Sequence, residues 1–417
     1  MTLVGRFPAR IVKQERAADV VCPMHDALSA AQRANLLLEN PLSYLNVTRS
    51  ALDMPGASYE EIGAANAAGL ERLLRSDSYG ALGAPAIYVY RIDRDGDVHT
   101  GVVADLDVIG FVDGRVLGHE DVKPEKVEAL SKHFEAVPTR SELVAVMHRD
   151  DDQAAAIVSA TTSRPPVLTV TDLTGVEQQV WRVDDSDAPL LIDRLSALRH
   201  YVADGHHRVA ATVARWRDHG SPRGGTVLCV LYPESQTHLL AFDRLVAGPF
   251  DAGAVLDALK QRFEVGEATG PTRGHGGFGL HLAGSWYRVH LPNVADRAGA
   301  DSRGAACLDV ARLDAELLQP IFGVASGSDR VTYVSELTDP QEVAATHPDH
   351  ALFVLAAPTH AELIEVAERG EVMPPKSTYI EPKPRAGVFL HPRQGPVDPR
   401  DLPSTRAAEA ATGARTA

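Results

Sequence analysis

Apolar residues recur along this chain with two periods, and the period decides the element. Over 30–39 and 59–76 they return every three to four residues, with Ile62, Leu70, Leu73 and Leu74 forming one stripe, which predicts amphipathic helices. Residues 86–93, AIYVYRID, alternate instead. The polar run 94–97 then reverses the chain and 98–106 pairs back, so a β-hairpin is expected. A helix is expected over 124–134, because Pro124 suits a first helical position and Val127, Leu130 and Phe134 follow at spacings of three and four. Strands are expected at 143–148, 167–171, 179–183 and 226–232. Beyond them, helical patterns cover 254–263, 308–322 and 361–369, while strand patterns cover 279–291, folded about Gly284, and 353–356. The fold class is therefore α/β, mixed α+β, and multi-lobed. We expect an N-terminal α/β lobe over 1–115, a central lobe over 116–244 and a C-terminal α/β lobe over 245–391. The tail from 392 to 417 lacks periodic apolar residues and is expected to be disordered.

The segment 198–216, LRHYVADGHHRVAATVARW, reads as a buried strand, a glycine turn and an alanine-rich helix, meeting at Asp204, Gly205, His206, His207 and Arg208. The first turn of a helix has unpaired backbone N–H groups and the positive end of the helix dipole, so it favours an anion. Arg208 adds a planar fork of donors and the histidines add two more, which suits phosphate or carboxylate. The alternative is structural: Asp204 caps the helix and the histidines lie in solvent.

Composition narrows the classes. The chain has 417 residues, 44% hydrophobic, enough for two or three cores, and no apolar run approaches a membrane span. The N-terminal stretch lacks the long apolar centre of a signal peptide, so a soluble cytoplasmic protein is expected. Cys22, Cys229 and Cys307 are scattered, which indicates neither a disulfide framework nor a zinc pattern. A formal net charge of -15 without a Lys/Arg run argues against a nucleic-acid partner. Homo-oligomerisation stays open.

Three motifs carry a resemblance to a known family. ADGHHR before a small-residue helix resembles the signature of the domain of unknown function 1015 family; residues 373–384, MPPKSTYIEPKP, are close to a second hallmark, and His119-Glu120 in GRVLGHEDVKPEK to a third. Departures are local, with Ile380 where that family usually has an aromatic and Pro23, Met24, His25 and Asp26 in place of a proline-tyrosine-aspartate motif. More distantly, the order HE, helix, DGHHR is similar to the core of the ParB and sulfiredoxin superfamily, within which free serine kinase has the most similar pattern. The resemblance implies a ParB/sulfiredoxin-like central lobe and nucleotide-dependent phosphoryl transfer to a small hydroxylated metabolite, with free serine as the acceptor that the similarity to free serine kinase suggests. It implies Glu120 as catalytic base, with Asp204 and His206 beside it. Gly205, His207 and Arg208 would handle phosphate, ATP or ADP would be the nucleotide, and Asp204 would hold Mg2+. Residues 137–195 separate motifs that lie close together in that superfamily, so an insertion or rearrangement is required. His206 stands where sulfiredoxins have their reactive cysteine, which speaks against that chemistry.

Other motifs fail on context. Residues 274–279 satisfy GxGxxG, yet a strand pattern follows where a dinucleotide site needs a helix. Lys376, Ser377 and Thr378 resemble the end of a phosphate loop, but Pro374 and Pro375 precede them and the glycine cradle is missing. As cationic and hydroxyl donors on a proline-stiffened loop, these three residues and Lys383 suit an anion, or else close one lobe against another. Adjacent His206 and His207 make a weak zinc pair. Two other classes remain: a ParB-like nucleotide-binding switch without transfer to an acceptor, and a histidine-dependent phosphohydrolase.

Overall fold

The computed structural model describes residues 2–218, 225–292, 303–325 and 327–393. From 394 on, the tail expected to be disordered lies outside them. The mixed α/β, multi-lobed expectation holds. The described residues form two compact units: those within 2–117, 122–237 and 382–393 make the first, and those within 118–121 and 238–381 the second.

Among the described residues of the first unit, the main sheet runs in the order Val116–Leu117, His200–Asp204, Val144–His148, Thr226–Pro233, Asp97–Asp107, Tyr88–Arg94, Glu177–Arg182 and Leu168–Thr171, with Val4–Gly5 also pairing to Asp97–Asp107. The expected hairpin is present, and Asp95 and Gly96 both take positive φ (54° and 90°), the handedness that matches strand twist in a two-residue turn. Ile87, Val89, Val102, Ala104, Val144, Val146, Val202, Cys229 and Leu231 form the core on one face of this sheet. Helix Pro124–Ala136 forms where expected. Helices Asp152–Thr162 and Ala188–Ala197 escape the apolar pattern: the first is mostly small residues and buries only Ala154 and Thr161. A short second sheet places Phe389–Pro392 between Arg10–Ile11 and Thr139–Arg140.

The second unit is built on an antiparallel sheet in the order Glu264–Ala268, Ser285–His290, Gly277–Leu282, Ala351–Leu355, Phe242–Val246 and Val331–Ser335. The GxGxxG string runs into strand Gly277–Leu282, as its context predicts. The single helix expected over 308–322 is interrupted. It consists of Asp309–Leu313, a π turn Asp314–Leu318 and Gln319–Phe322, ended by Gly323 at φ 63°. Pro320 accounts for the break, since it has no N–H and its ring crowds the carbonyl four residues earlier. Among the described residues no helix is long and apolar enough to cross a membrane.

Candidate functional site

Strand His200–Asp204 lies in the sheet between Val116–Leu117, to which it is parallel, and Val144–His148, to which it is antiparallel. Its pairing with Val144–His148 shifts register between Val202 and Asp204, an irregularity of the kind that re-aims side chains at strand ends. Gly205 follows at φ 106°, a left-handed backbone that L side chains rarely adopt, and helix His206–Asp218 begins at the next residue. The glycine is needed twice over. A Cβ there would stand 3.0 Å from the Arg208 guanidinium.

Within this turn Asp204 is the hub. Its Oδ2 accepts from Arg208 Nη2 at 2.5 Å and its Oδ1 from Lys383 Nζ. Arg208 also donates through Nη1 to the Leu143 carbonyl at 2.8 Å. Withdrawal from water pushes the Asp204 carboxyl up, but Lys383 and Arg208, helped by His206, outweigh it and hold the group well below the usual carboxylate range. His206 itself is buried. His207 Nε2 accepts the backbone N–H of Lys123 at 3.1 Å, which makes Nε2 the unprotonated nitrogen and ties the turn to the start of helix Pro124–Ala136.

The second unit holds the other predicted residues. Met373 donates its N–H to the His119 carbonyl at 2.8 Å, and Thr378 Oγ1 lies 3.5 Å from His119 Nε2, so the HE and MPPKST motifs meet there. Ser377 Oγ donates to the Pro374 carbonyl at 2.7 Å, which closes the proline loop on itself. Lys376, at φ 56°, places its ammonium 5.0 Å above the Phe242 ring. Glu120 is exposed. The structure thus brings Asp204, Gly205, His206, His207 and Arg208 together in the first unit, and Glu120, Lys376, Ser377 and Thr378 belong to the second.

Lys383 is the residue that sequence reasoning undervalued. It appears there as one of several donors in MPPKSTYIEPKP, and the structure singles it out as the lysine of that motif that pairs with Asp204. No local pattern reveals a partner 179 positions away.

Magnesium fits Asp204 poorly in this arrangement. Both carboxylate oxygens already face cations, and a divalent ion would need Lys383 or Arg208 to withdraw.

The family described as "Protein of unknown function (DUF1015)" matches residues 7–316. The chain belongs to this family. No curated protein matches the sequence. Among solved structures, SbnI with a C-terminal truncation, from Staphylococcus aureus, is similar at 14% identity over 75% of this chain and 97% of that one, with TM-score 0.40. A free serine kinase in complex with AMP is 14% identical over 69% and 91%, TM-score 0.33. A mutant of free serine kinase in complex with ADP is 15% identical over the same shares, TM-score 0.34.

Proposed function

We propose that this DUF1015-family protein transfers a phosphoryl group from a nucleotide, ATP or ADP, to a small hydroxylated metabolite, with the DGHHR turn as the phosphate-handling element. The observation that carries the reading is the build of that turn. A left-handed glycine opens a thirteen-residue helix at His206, so the positive end of its dipole faces the strand end, with Arg208 in the same turn.

The ion pairs give Arg208 a second task. Asp204 is shared by two cations, so Arg208 can leave it for a phosphate oxygen while Lys383 keeps the carboxylate compensated. A buried carboxylate with one partner would resist that movement, because it would be left unpaired. On this reading Lys383 is a positioning residue and Arg208 the phosphate ligand. His207 is held in the same turn through Nε2.

Glu120 enters through the motif resemblance as the general base. It takes the proton of the acceptor hydroxyl as that oxygen bonds to the terminal phosphorus; the bridging P–O bond breaks and its electron pair leaves with the nucleotide. Lys376, Ser377 and Thr378 are assigned to the nucleotide phosphates on the same grounds, and free L-serine is the acceptor the resemblance names.

The test is a mass-spectrometric screen of the purified protein with ATP or ADP and a panel of hydroxylated metabolites. The reading expects nucleotide-dependent appearance of one phosphoester. Tight nucleotide binding without any product would favour the ParB-like switch, and phosphate release from phosphoesters without nucleotide would favour a hydrolase.

A further inference from the structure

A cavity of about 20 Å³, open on one side, lies beside the turn in the first unit, lined by Arg140, Arg208, Arg393 and Glu142 over an apolar floor that includes Val227 and Leu228. Three distant stretches of chain supply its guanidinium groups. Arg140 ends a two-residue strand, Arg208 sits in the first turn of its helix, and Arg393 follows the strand Phe389–Pro392 that pairs with Thr139–Arg140.

Two of the three are compensated from behind. Arg208 pairs with Asp204, and Arg140 lies 3.6 Å from Asp105, which also accepts from His391 and Thr226. Arg393 differs. Its Nε donates to the carbonyls of Val137 and Thr139, its guanidinium lies 3.7 Å over the Phe134 ring, and among the described residues no carboxylate pairs with it directly. Burial, then the nearness of Arg140, lower its pKa to about 9, with the nearby Glu142 carboxylate opposing them only in part. The Arg140 Nε is buried without a hydrogen-bond partner. Three guanidinium groups and the Glu142 carboxylate share the walls, and the partnerless Arg140 Nε leaves a buried donor that an anion would satisfy.

We propose that this cavity is a binding site for a compact oxyanion, the carboxylate or phosphate head of a small molecule, held chiefly by Arg140 and Arg393. The volume is room for about one or two waters, so only the oxygens of a head group would enter it, and the remainder of the ligand would leave through the open side over Val227 and Leu228. Neither Arg140 nor Arg393 has a part in the phosphoryl-transfer reading, so the two ideas fail separately.

The test is methyl NMR of the full chain titrated with inorganic phosphate and, separately, acetate. The Val227 and Leu228 methyls should shift with saturation in both titrations if the site takes oxyanions in general, or in one if it selects tetrahedral or planar geometry. Arg393→Met should weaken the response about tenfold or more, the loss expected for one charge-assisted contact. Thr212→Glu, on the wall of the cavity, supplies a carboxylate of its own and should abolish the response, whereas Thr212→Gln should retain it. Absence of shifts at these methyls in the wild-type protein, or an unchanged titration in Arg393→Met or Thr212→Glu, would overturn the proposal.

Discussion

Lys383 and Asp204 lie 179 residues apart in sequence and form an ion pair in the first unit, on the opposite oxygen of the carboxylate from Arg208. The pair joins the end of the MPPKSTYIEPKP motif to the DGHHR turn. Removal of one partner from a buried pair strands the other charge, at a cost of about 3 kcal/mol, lessened here because Arg208 remains. Lys383→Ala should therefore lower unfolding free energy in urea, and Asp204→Asn should cost less in that background than in the wild type. Additive effects of the two substitutions would show that they do not interact.

Gly205→Ala tests the turn itself. The substitution forces an L side chain into φ 106° and sets its Cβ 3.0 Å from the Arg208 guanidinium. We expect a stability loss of about 1–3 kcal/mol from backbone strain, together with weakened phosphate or nucleotide binding in calorimetry because Arg208 is displaced. A variant as stable and as tight-binding as wild type would remove the need for glycine here.

Acid sensitivity should come in part from His200. This ring is buried, donates from Nε2 to the Leu195 carbonyl at 2.8 Å and meets His148 edge-on. Burial, with the neighbouring His148, lowers its pKa to about 3. The folded state therefore refuses a proton that the unfolded chain accepts below its ordinary value near 6.5. As pH falls from about 6.5 toward 3, the unfolded state binds more protons and stability declines; above 6.5 the group contributes no slope. Between pH 7.5 and 5 the loss from this one residue should be about 1–2 kcal/mol. Denaturant titrations of His200→Gln at both values should show a shallower dependence than wild type, and an identical dependence would acquit His200.

Legibility of the fold followed local signals. The hairpin turn at Asp95-Gly96, Pro124 at a helix start, the alternating strands and the glycine before His206 all state their role within a few residues, and each stands where expected. Helix Asp152–Thr162 was hidden because alanines and small polar residues give little contrast between its faces. The π turn Asp314–Leu318 required reading Pro320 against a carbonyl one turn earlier, and the pattern of apolar residues continues through it. What no local signal carries is the return of residues 382–393 to the first unit, and with it both the Lys383–Asp204 pair and the meeting of Arg140, Arg393 and His391. Of the candidate site, the turn was therefore readable and its electrostatic support was not.

Glu120→Gln should separate chemistry from binding. The amide keeps the side chain's size but removes its basicity, so nucleotide affinity should stay near wild type while turnover falls about 100-fold to 10,000-fold. Steady-state kinetics and calorimetry on the same preparation check both halves. Full turnover in this variant would refute Glu120 as base.

The central claim is that Arg208 in the DGHHR turn holds the phosphoryl group during transfer. It is tested most directly by 31P NMR of the wild-type protein and Arg208→Ala, each with ATP or ADP and L-serine. The account predicts conversion of nucleotide phosphorus to a phosphoester resonance with wild type, and loss of both binding and conversion in Arg208→Ala, because the guanidinium contacts phosphate in ground and transition states alike. Equal rates of phosphoester formation by the two proteins would contradict it.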